Sequence, residues 1–217
     1  MIRTYDEFRA LLNESGFMLL GGAHGRLSLN CVTDPAAWHT GNELDPWLWK
    51  DNMAQRRDGA YAHIFGGQAG FVSRQWYPLF CAAYMIDIEY EYSAGLVPQL
   101  SMDMWRLFNE RATWGRHELR RALAGRFERK SAFDSALKHL ERSMLITISG
   151  NVQPLSDSGR PIGWQAMEYT RTDAYLGDWL PDTEQDRRHA RQMICERALE
   201  LSPELSASEL KRLFGSI

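Results

Sequence analysis

The chain has 217 residues and a net charge of −3, and 44% of its residues are apolar and 12% aromatic. This apolar content is sufficient for a globular core and argues against a disordered chain. The longest uninterrupted apolar run, residues 79–86, covers eight residues, far fewer than the roughly twenty that a membrane-spanning helix needs. We therefore expect no membrane association, and because the N-terminal residues lack the basic and apolar segments of a secretion signal, we expect a cytoplasmic protein.

The N-terminal segment predicts one helix followed by a less regular region. Thr4 and Glu7 form a capping-box pair, which predicts a helix that ends at Gly16. Residues 17–20 and 27–32 are either short strands or an irregular segment around a glycine-rich turn. The sequence leaves both alternatives open.

The next segment predicts a helix, a hairpin and a second helix. Asp45 followed by proline is a helix start, and the helix runs to about residue 57. Residues 61–65 and 68–72 flank two consecutive glycines, which predicts a β-hairpin because glycine tolerates the positive φ of a two-residue turn. Residues 76–89 predict a helix with a proline in its first turn. A Gly- and Pro-containing stretch at 93–101 is the predicted boundary with the next module.

The middle of the chain predicts three short helices and then a two-stranded hairpin. Ser101, Thr113 and Ser131 each precede apolar residues at helical spacing, and a short side-chain oxygen at that place satisfies free N–H groups at a helix start. Residues 145–148 and 164–169 are predicted strands, joined by a loop rich in Gly, Pro and Ser. This is the element order of a winged-helix domain, in which the third helix would meet DNA and the loop would be the wing.

The C-terminal residues predict further helices, near 173–180, 183–201 and 206–214, the last of them opened by a Ser206/Glu209 capping box. The fold class is therefore α+β and helix-rich. The predicted domains are an N-terminal helix and hairpin module (1–95), a winged-helix domain (96–169) and a C-terminal helical extension (170–217).

Positive charge is concentrated in the predicted helices of the winged-helix domain. The net charge is −4 over residues 1–100, +4 over 101–150, −1 over 151–169 and −2 over 170–217. Exposed helix faces are often charged for solubility alone, so the pattern permits a solvated face as well as a DNA-binding one. The candidate DNA-binding residues lie on the third helix or just before it: Arg126, Arg129, Lys130, Ser135, Lys138, His139 and Arg142.

Motifs for metal or cofactor binding are not found in the sequence. The three cysteines form no Cys-x-x-Cys pair, so their spacing encodes neither a disulfide framework nor a zinc site. His117 and Glu118 begin like the H-E-x-x-H zinc helix, but Arg121 occupies the place of the second ligand. The glycine-rich segments 21–25 and 66–70 match neither the dinucleotide fingerprint nor the P-loop. We expect no metal and no cofactor.

An aromatic segment at 45–77 is the place where an enzyme site would lie. Tyr61, His63 and Phe65 would share one face of a strand, because side chains alternate along it, and base-excising enzymes stack a flipped base on such rings. Burial in a core is the more usual explanation of such residues, because aromatic side chains bury large areas and are common core material. The candidate pocket residues are Trp47, Trp49, Lys50, Tyr61, His63 and Trp76.

The segments Asp-Pro-Trp-Leu-Trp-Lys at 45–50, 59–73 and Trp-Tyr-Pro at 76–78 resemble a family of bacterial proteins called AlkZ-related. That family is named for a distant likeness to the AlkZ-type DNA glycosylases, which are built from winged-helix units and excise alkylated or crosslinked bases. The resemblance implies a winged-helix architecture and an association with DNA. The AlkZ-type glycosylases use a Gln-x-Gln pair to position the hydrolytic water, and no two glutamines of this chain are two residues apart. The resemblance therefore does not imply glycosylase activity.

The leading functional hypothesis is a winged-helix protein that binds DNA weakly and for which the sequence demonstrates no catalysis. Weak binding is expected because Glu141 interrupts the basic face of the third helix and because the wing offers only Arg160 against Asp157. One alternative is a base-excision enzyme with its site in segment 45–77. The other is a winged-helix module whose partner is a protein.

Overall fold

The computed structural model describes residues 1–215 with the exception of 157, 162, 164 and 178–185. Its helices are α1 (Tyr5–Ser15), α2 (Leu29–Val32), α3 (Trp49–Arg56), α4 (Tyr77–Tyr84), α5 (Ile88–Ser93), α6 (Gln99–Glu110), α7 (Arg116–Ala122), α8 (Lys130–Arg142), α9 (Thr172–Leu176), α10 (Arg187–Leu201) and α11 (Ala207–Phe214). Its strands are β1 (Phe17–Leu19), β2 (Gly59–Phe65), β3 (Gln68–Ser73), β4 (Thr113–Gly115), β5 (Ile146–Val152) and β6 (Ala166–Arg171). These elements form two compact units: unit one is Met1–Met85 with Asp178–Ile217, and unit two is Ile86–Gly177.

Unit one contains an antiparallel sheet in the order β1-β3-β2. The predicted hairpin is confirmed: β2 and β3 are joined by Gly66 and Gly67, whose φ angles are +59° and +88°. Positive φ at both central residues is the geometry of the tight turn whose twist matches that of paired strands, and glycine adopts it without a steric cost.

Two aromatic clusters form the core of unit one. In the first, Phe8 of α1 stacks on Trp49 of α3 with ring centroids 5.4 Å apart and meets Phe71 of β3 at 4.9 Å. In the second, Phe17 of β1 is surrounded by the rings of Phe65, Phe80 and Phe214, with centroids between 5.2 and 6.0 Å away. Such ring pairs contribute beyond the area they bury, so these clusters fix how α1, α3, α4 and α11 pack around the sheet.

The predicted helix over 45–57 is confirmed, and two other N-terminal predictions are corrected. Asp45 accepts a hydrogen bond from the backbone N–H of Trp47 and opens a short 3₁₀ turn that leads into α3. Residues 27–32, one alternative for which was a strand, form a 3₁₀ turn and the short helix α2. The helix predicted over 76–89 is interrupted: α4 ends at Tyr84, and α5 begins after Asp87, whose side chain accepts from the N–H of Tyr90. A carboxylate at that place starts a new helix.

Side chains of α10 hold the C-terminal part of unit one to its N-terminal part through hydrogen bonds to backbone carbonyls. Helix α10 packs on α4; Arg191 donates to the carbonyl of Ala83, and Arg197 donates to that of Ser15. The Ser206/Glu209 capping box at α11 is confirmed. One predicted helix ends at residue 180 and the next begins at residue 183, and both of these residues lie outside the described part of the chain. Helix α9 is the described part of the segment predicted over 173–180.

Unit two contains α5, α6, β4, α7, α8, β5, β6 and α9, and its antiparallel strands pair in the order β5-β6-β4. All three predicted helices are present, but their predicted caps are corrected. Ser101 and Ser131 lie inside α6 and α8, which follow Pro98 and Arg129. Thr113 belongs to β4, where its hydroxyl lies 2.9 Å from that of Thr170 on β6.

The loop between β5 and β6 is partly described. Strand β5 extends to Val152, further than predicted, and β6 ends at Arg171 rather than at 169. Within the loop, Leu155 and Pro161 form an isolated bridge, and the N–H of Ser156 donates to the carbonyl of Arg160. Asp157 and Trp164, which were assigned to the wing and to the second strand, lie outside the described residues.

The fold is thus a mixture of helices and antiparallel sheet. The domain boundaries at residues 95 and 169 stay a prediction. Within the part of the chain that the structure describes, no helix combines the length and the apolar character needed to cross a bilayer.

Candidate nucleic-acid interface

Helix α8 is amphipathic, with its apolar face as predicted. Phe133 and Leu137 are 1% exposed and Leu140 is fully buried. These residues recur at i, i+4 and i+7, so they form one stripe along the helix. The opposite side of α8 is thereby turned toward solvent.

The exposed stripe of α8 consists of Ser131, Ser135, Lys138 and Arg142. Their spacing of i, i+4, i+7 and i+11 places them in a row about 16 Å long. Two small hydroxyl side chains occupy the N-terminal half of the row, and two cations occupy the C-terminal half. A helix with such a face can approach the floor of the DNA major groove closely with its small residues while its cations reach phosphates or guanine edges.

The expectation that Glu141 interrupts this face is wrong. Glu141 is 1% exposed. It follows Leu137 by four residues, so the helical repeat places it on the buried side of α8. The exposed row therefore contains no carboxylate.

His139 is half-buried beside this row and carries no charge at neutral pH. Burial lowers the pKa of its imidazole, the nearby Arg142 lowers it further, and Glu91 of α5 acts in the opposite direction. Its Nδ1 atom is buried and has no hydrogen-bond partner among the described residues. His139 adds a polar edge to the face but no cation.

Helix α8 is anchored to α7 through its first turn. The guanidinium of Arg116 pairs with the carboxylate of Asp134 and lies over the ring of Phe133, 5.4 Å from its centroid. Both members of the pair are about one third exposed. The contact ties the start of α7 to the start of α8 and so fixes the direction in which the exposed row points.

The other candidate cations lie just before α8 or at its first residue. Arg126, Arg129 and Lys130 are all exposed. Arg126 is 63% exposed, and its Nη1 atom lies 3.3 Å from a carboxylate oxygen of Asp103 on α6. Arg129 borders a shallow depression of about 400 Å³ that also includes Ser131 and Ser135. The segment and the exposed row of α8 thus form one basic surface of unit two.

Asp103 is a residue that the sequence interpretation missed. It lies on α6 with its side chain only 8% exposed. The sequence feature that could have identified it is an acidic residue between two methionines of an amphipathic helix, in a stretch, Ser101 to Met104, that the structure buries. An acid in that place needs partners.

The aromatic candidates of unit one are divided between its core and its surface. Trp49 is fully buried, and Tyr61 is 3% exposed and packs 5.1 Å from Phe71. Trp76 is half-buried with its ring 5.5 Å from Phe17, and His63 is half-buried on β2. The structure does not bring Trp49 and Tyr61 to a surface.

Trp47 lies at the surface of unit one and contacts Lys50, which is itself buried. Trp47 is 39% exposed, and the Lys50 ammonium lies 4.3 Å from the centroid of its ring. The same ammonium donates to the carbonyl of Trp47 at 3.0 Å and to Asp51 at 3.2 Å. These contacts hold Lys50 within its own helix start, and the pocket over segment 45–77 stays a prediction. No group of three or more metal-ligating side chains occurs among the residues described.

The comparisons with known proteins give a family and one similar structure. A family model described as AlkZ related matches residues 2–215. The comparison with curated proteins finds no match. Among solved structures, the chain is similar to Streptomyces sahachiroi DNA glycosylase AlkZ, with a TM-score of 0.44 and 12% identity, covering 79% of this chain and 51% of that one. The chain therefore spans about half of the length of that structure. Because the family model covers almost all of its residues, the protein belongs to the AlkZ-related family.

Proposed function

We propose that the protein binds DNA through a winged-helix domain, residues 96–169, with α8 as the helix that enters the major groove. The order of elements in unit two supports this: α6, β4, α7 and α8 are followed by the paired strands β5 and β6, and β4 adds to β6 as a third strand. A short strand between the first two helices and a hairpin after the third are the features that distinguish a winged helix from a simple helix bundle. Membership of the AlkZ-related family is consistent with a DNA-related role.

The observation that carries the proposal is the exposed row of α8. Lys138 and Arg142 project from it together with Ser135, and Glu141 is turned inward. Arginine and lysine contact phosphates and the acceptor edge of guanine, and serine adapts to several bases. The row therefore has donors of the kinds that DNA recognition uses.

The expected affinity is modest. Five candidate cations belong to the basic surface of unit two, and neutralising five phosphates would give a slope of log K against log salt of about −4.5. The net charge of the whole chain is −3, so the remainder of the protein adds no general attraction to DNA. Binding should be measurable at low salt and fall steeply towards physiological salt.

The test is a salt titration of binding to fluorescently labelled duplex DNA by anisotropy. Lys138→Glu with Arg142→Glu should abolish binding without unfolding the chain, because both side chains are exposed. The matched control is Lys211→Glu with Arg212→Glu, which changes the net charge equally at two exposed positions of α11. Unchanged affinity in the α8 variant would refute the role of that helix. Equal losses of affinity in both variants would show that net charge alone accounts for the effect.

Neither alternative function is supported by a specific observation. A base-excision reaction is not proposed, because the chain lacks the Gln-x-Gln pair and because two of the candidate pocket rings, Trp49 and Tyr61, are buried. A protein partner for the α8 face is the outcome to pursue if the wild-type chain binds no duplex at low salt.

A further inference from the structure

Asp103 joins two exposed arginines on the surface of unit two. Its carboxylate accepts a hydrogen bond from Gln99 at 2.8 Å, and it pairs with Arg106 through one oxygen and with Arg126 through the other, both at 3.3 Å. The side chain of Asp103 is 8% exposed, whereas those of Arg106 and Arg126 are 54% and 63% exposed. A buried carboxylate thus lies beneath two guanidinium groups that face water.

The two arginines keep most of their hydrogen-bonding capacity. Each guanidinium has five N–H donors, and each meets Asp103 through its Nη1 atom alone. Within the described part of the chain, Arg126 has no further polar contact, and Arg106 adds only the ring of Tyr92, 5.8 Å from its guanidinium carbon. Two cations around one anion leave a local charge of +1 and several donors available to a ligand.

The carboxylate between them is held in place from behind. The hydroxyl of Tyr92 donates to the side-chain carbonyl of Gln99, and the amide nitrogen of Gln99 donates to Asp103. A chain of hydrogen bonds from α5 through α6 therefore fixes the point to which both arginines are attached. Fixing the arginines before a ligand arrives lowers the entropy that binding would cost.

We propose that Arg106 and Arg126 together bind one backbone phosphate of DNA and that Asp103 is the positioning residue between them. Both Nη1 atoms are 3.3 Å from oxygens of the same carboxylate, so they lie within about 9 Å of each other. A phosphate has oxygens that accept from two guanidinium groups at once, in the charge-assisted geometry that arginine favours. The site rests on the proposed DNA binding and extends it from the region of α8 to α6, because Arg106 lies outside the candidate residues named from the sequence.

The test compares the salt dependence of DNA binding in Arg106→Gln, Arg126→Gln and the double variant. If both arginines serve one phosphate, the double variant loses one phosphate contact. Its slope of log K against log salt then falls in magnitude by about 0.9, and its affinity at 0.1 M salt falls about eightfold. Two separate phosphates would give a fall of about 1.8. Arg212→Gln on α11, an exposed arginine of unit one, is the control for loss of one positive charge.

Asp103→Asn tests the positioning role by the sign of its effect. Removing a negative charge from a DNA-binding surface strengthens binding if Asp103 only repels the phosphates. We expect weaker binding, because the two guanidinium groups lose their common ionic anchor. Urea denaturation of each variant confirms that binding is measured on folded protein. The slope of log K against log salt is a second control, because a purely structural effect would leave it unchanged.

The outcomes separate this site from the proposed function. A fall of about 0.9 in the double variant together with weaker binding by Asp103→Asn supports the site. If the wild-type chain binds DNA and Arg106→Gln binds equally well, the site is overturned and DNA binding stands. A fall of about 1.8 in the magnitude of the salt slope of the double variant has the same meaning. Stronger binding by Asp103→Asn overturns its positioning role. No binding by the wild-type chain at low salt overturns both proposals.

Discussion

Two adjacent glycines of the β2–β3 turn should differ sharply in their tolerance of alanine. Gly66 and Gly67 both have positive φ, so alanine at either position adopts a left-handed conformation that costs about 1–2 kcal/mol. A Cβ on Gly66 would lie 2.1 Å from the carbonyl oxygen of Arg212 in α11, whereas a Cβ on Gly67 would have no atom within 4 Å. Gly66→Ala must therefore also displace α11.

We expect Gly67→Ala to lower the free energy of unfolding by about 1–2 kcal/mol. Gly66→Ala should lose about 1–3 kcal/mol more, the usual cost of forcing extra atoms into a packed contact. The assay is urea denaturation followed by tryptophan fluorescence, which reports on unit one through the buried Trp49. Gly67→Ala is the matched control, since it shares the turn and the backbone conformation. Equal losses in the two variants would refute the close approach of α11 to the hairpin.

Three further predictions concern thiols, a titrating histidine and a helix cap. Burial raises the pKa of the Cys81 and Cys195 thiols, whereas Cys31 is exposed, so a disulfide reagent should modify Cys31 rapidly in native protein and all three thiols only in denaturant. Because the pKa of His139 is lowered in the folded state, stability should fall as pH drops below about 6.5, by at most about 1.4 kcal/mol per pH unit; a His139→Gln variant that showed the same decline by denaturation would contradict this. Ser206→Ala removes the α11 cap and should cost about 1 kcal/mol in the same assay; an unchanged midpoint would count against the cap.

Local signals in the sequence predicted the features whose partners are close along the chain. The capping boxes of Thr4 with Glu7 and of Ser206 with Glu209 join residues three apart. The turn at Gly66 needs only the backbone freedom of its own residues. Likewise, the apolar repeat that begins at Phe133 identified the buried face of α8, because helical periodicity is a property of the segment itself.

Features that depend on competing partners or on distant ones were not predictable. A serine before an apolar series fits either a cap or the first turn, so the sequence predicts caps at Ser101 and Ser131, whereas both residues lie inside their helices. Asp103 pairs with Arg126, which lies 23 residues further along the sequence, and no local pattern predicts such a pair. The aromatic residues of segment 45–77 show the same limit, since composition does not distinguish Trp49 in a core from Trp47 at a surface.

The division of unit one between two separate stretches of sequence has a consequence for biosynthesis. Residues 1–85 are translated before the C-terminal part of the unit. The aromatic cluster of Phe17, Phe65 and Phe80 is therefore incomplete until Phe214 of α11 has been translated. Unit two is contiguous, so all of its residues are translated before those of α10 and α11. Domains fold largely as units during synthesis, and exposed apolar surface on the nascent chain favours aggregation. The N-terminal stretch of unit one, Met1–Met85, is therefore the part of the nascent protein that most needs chaperone protection, and unit two is the part expected to fold first.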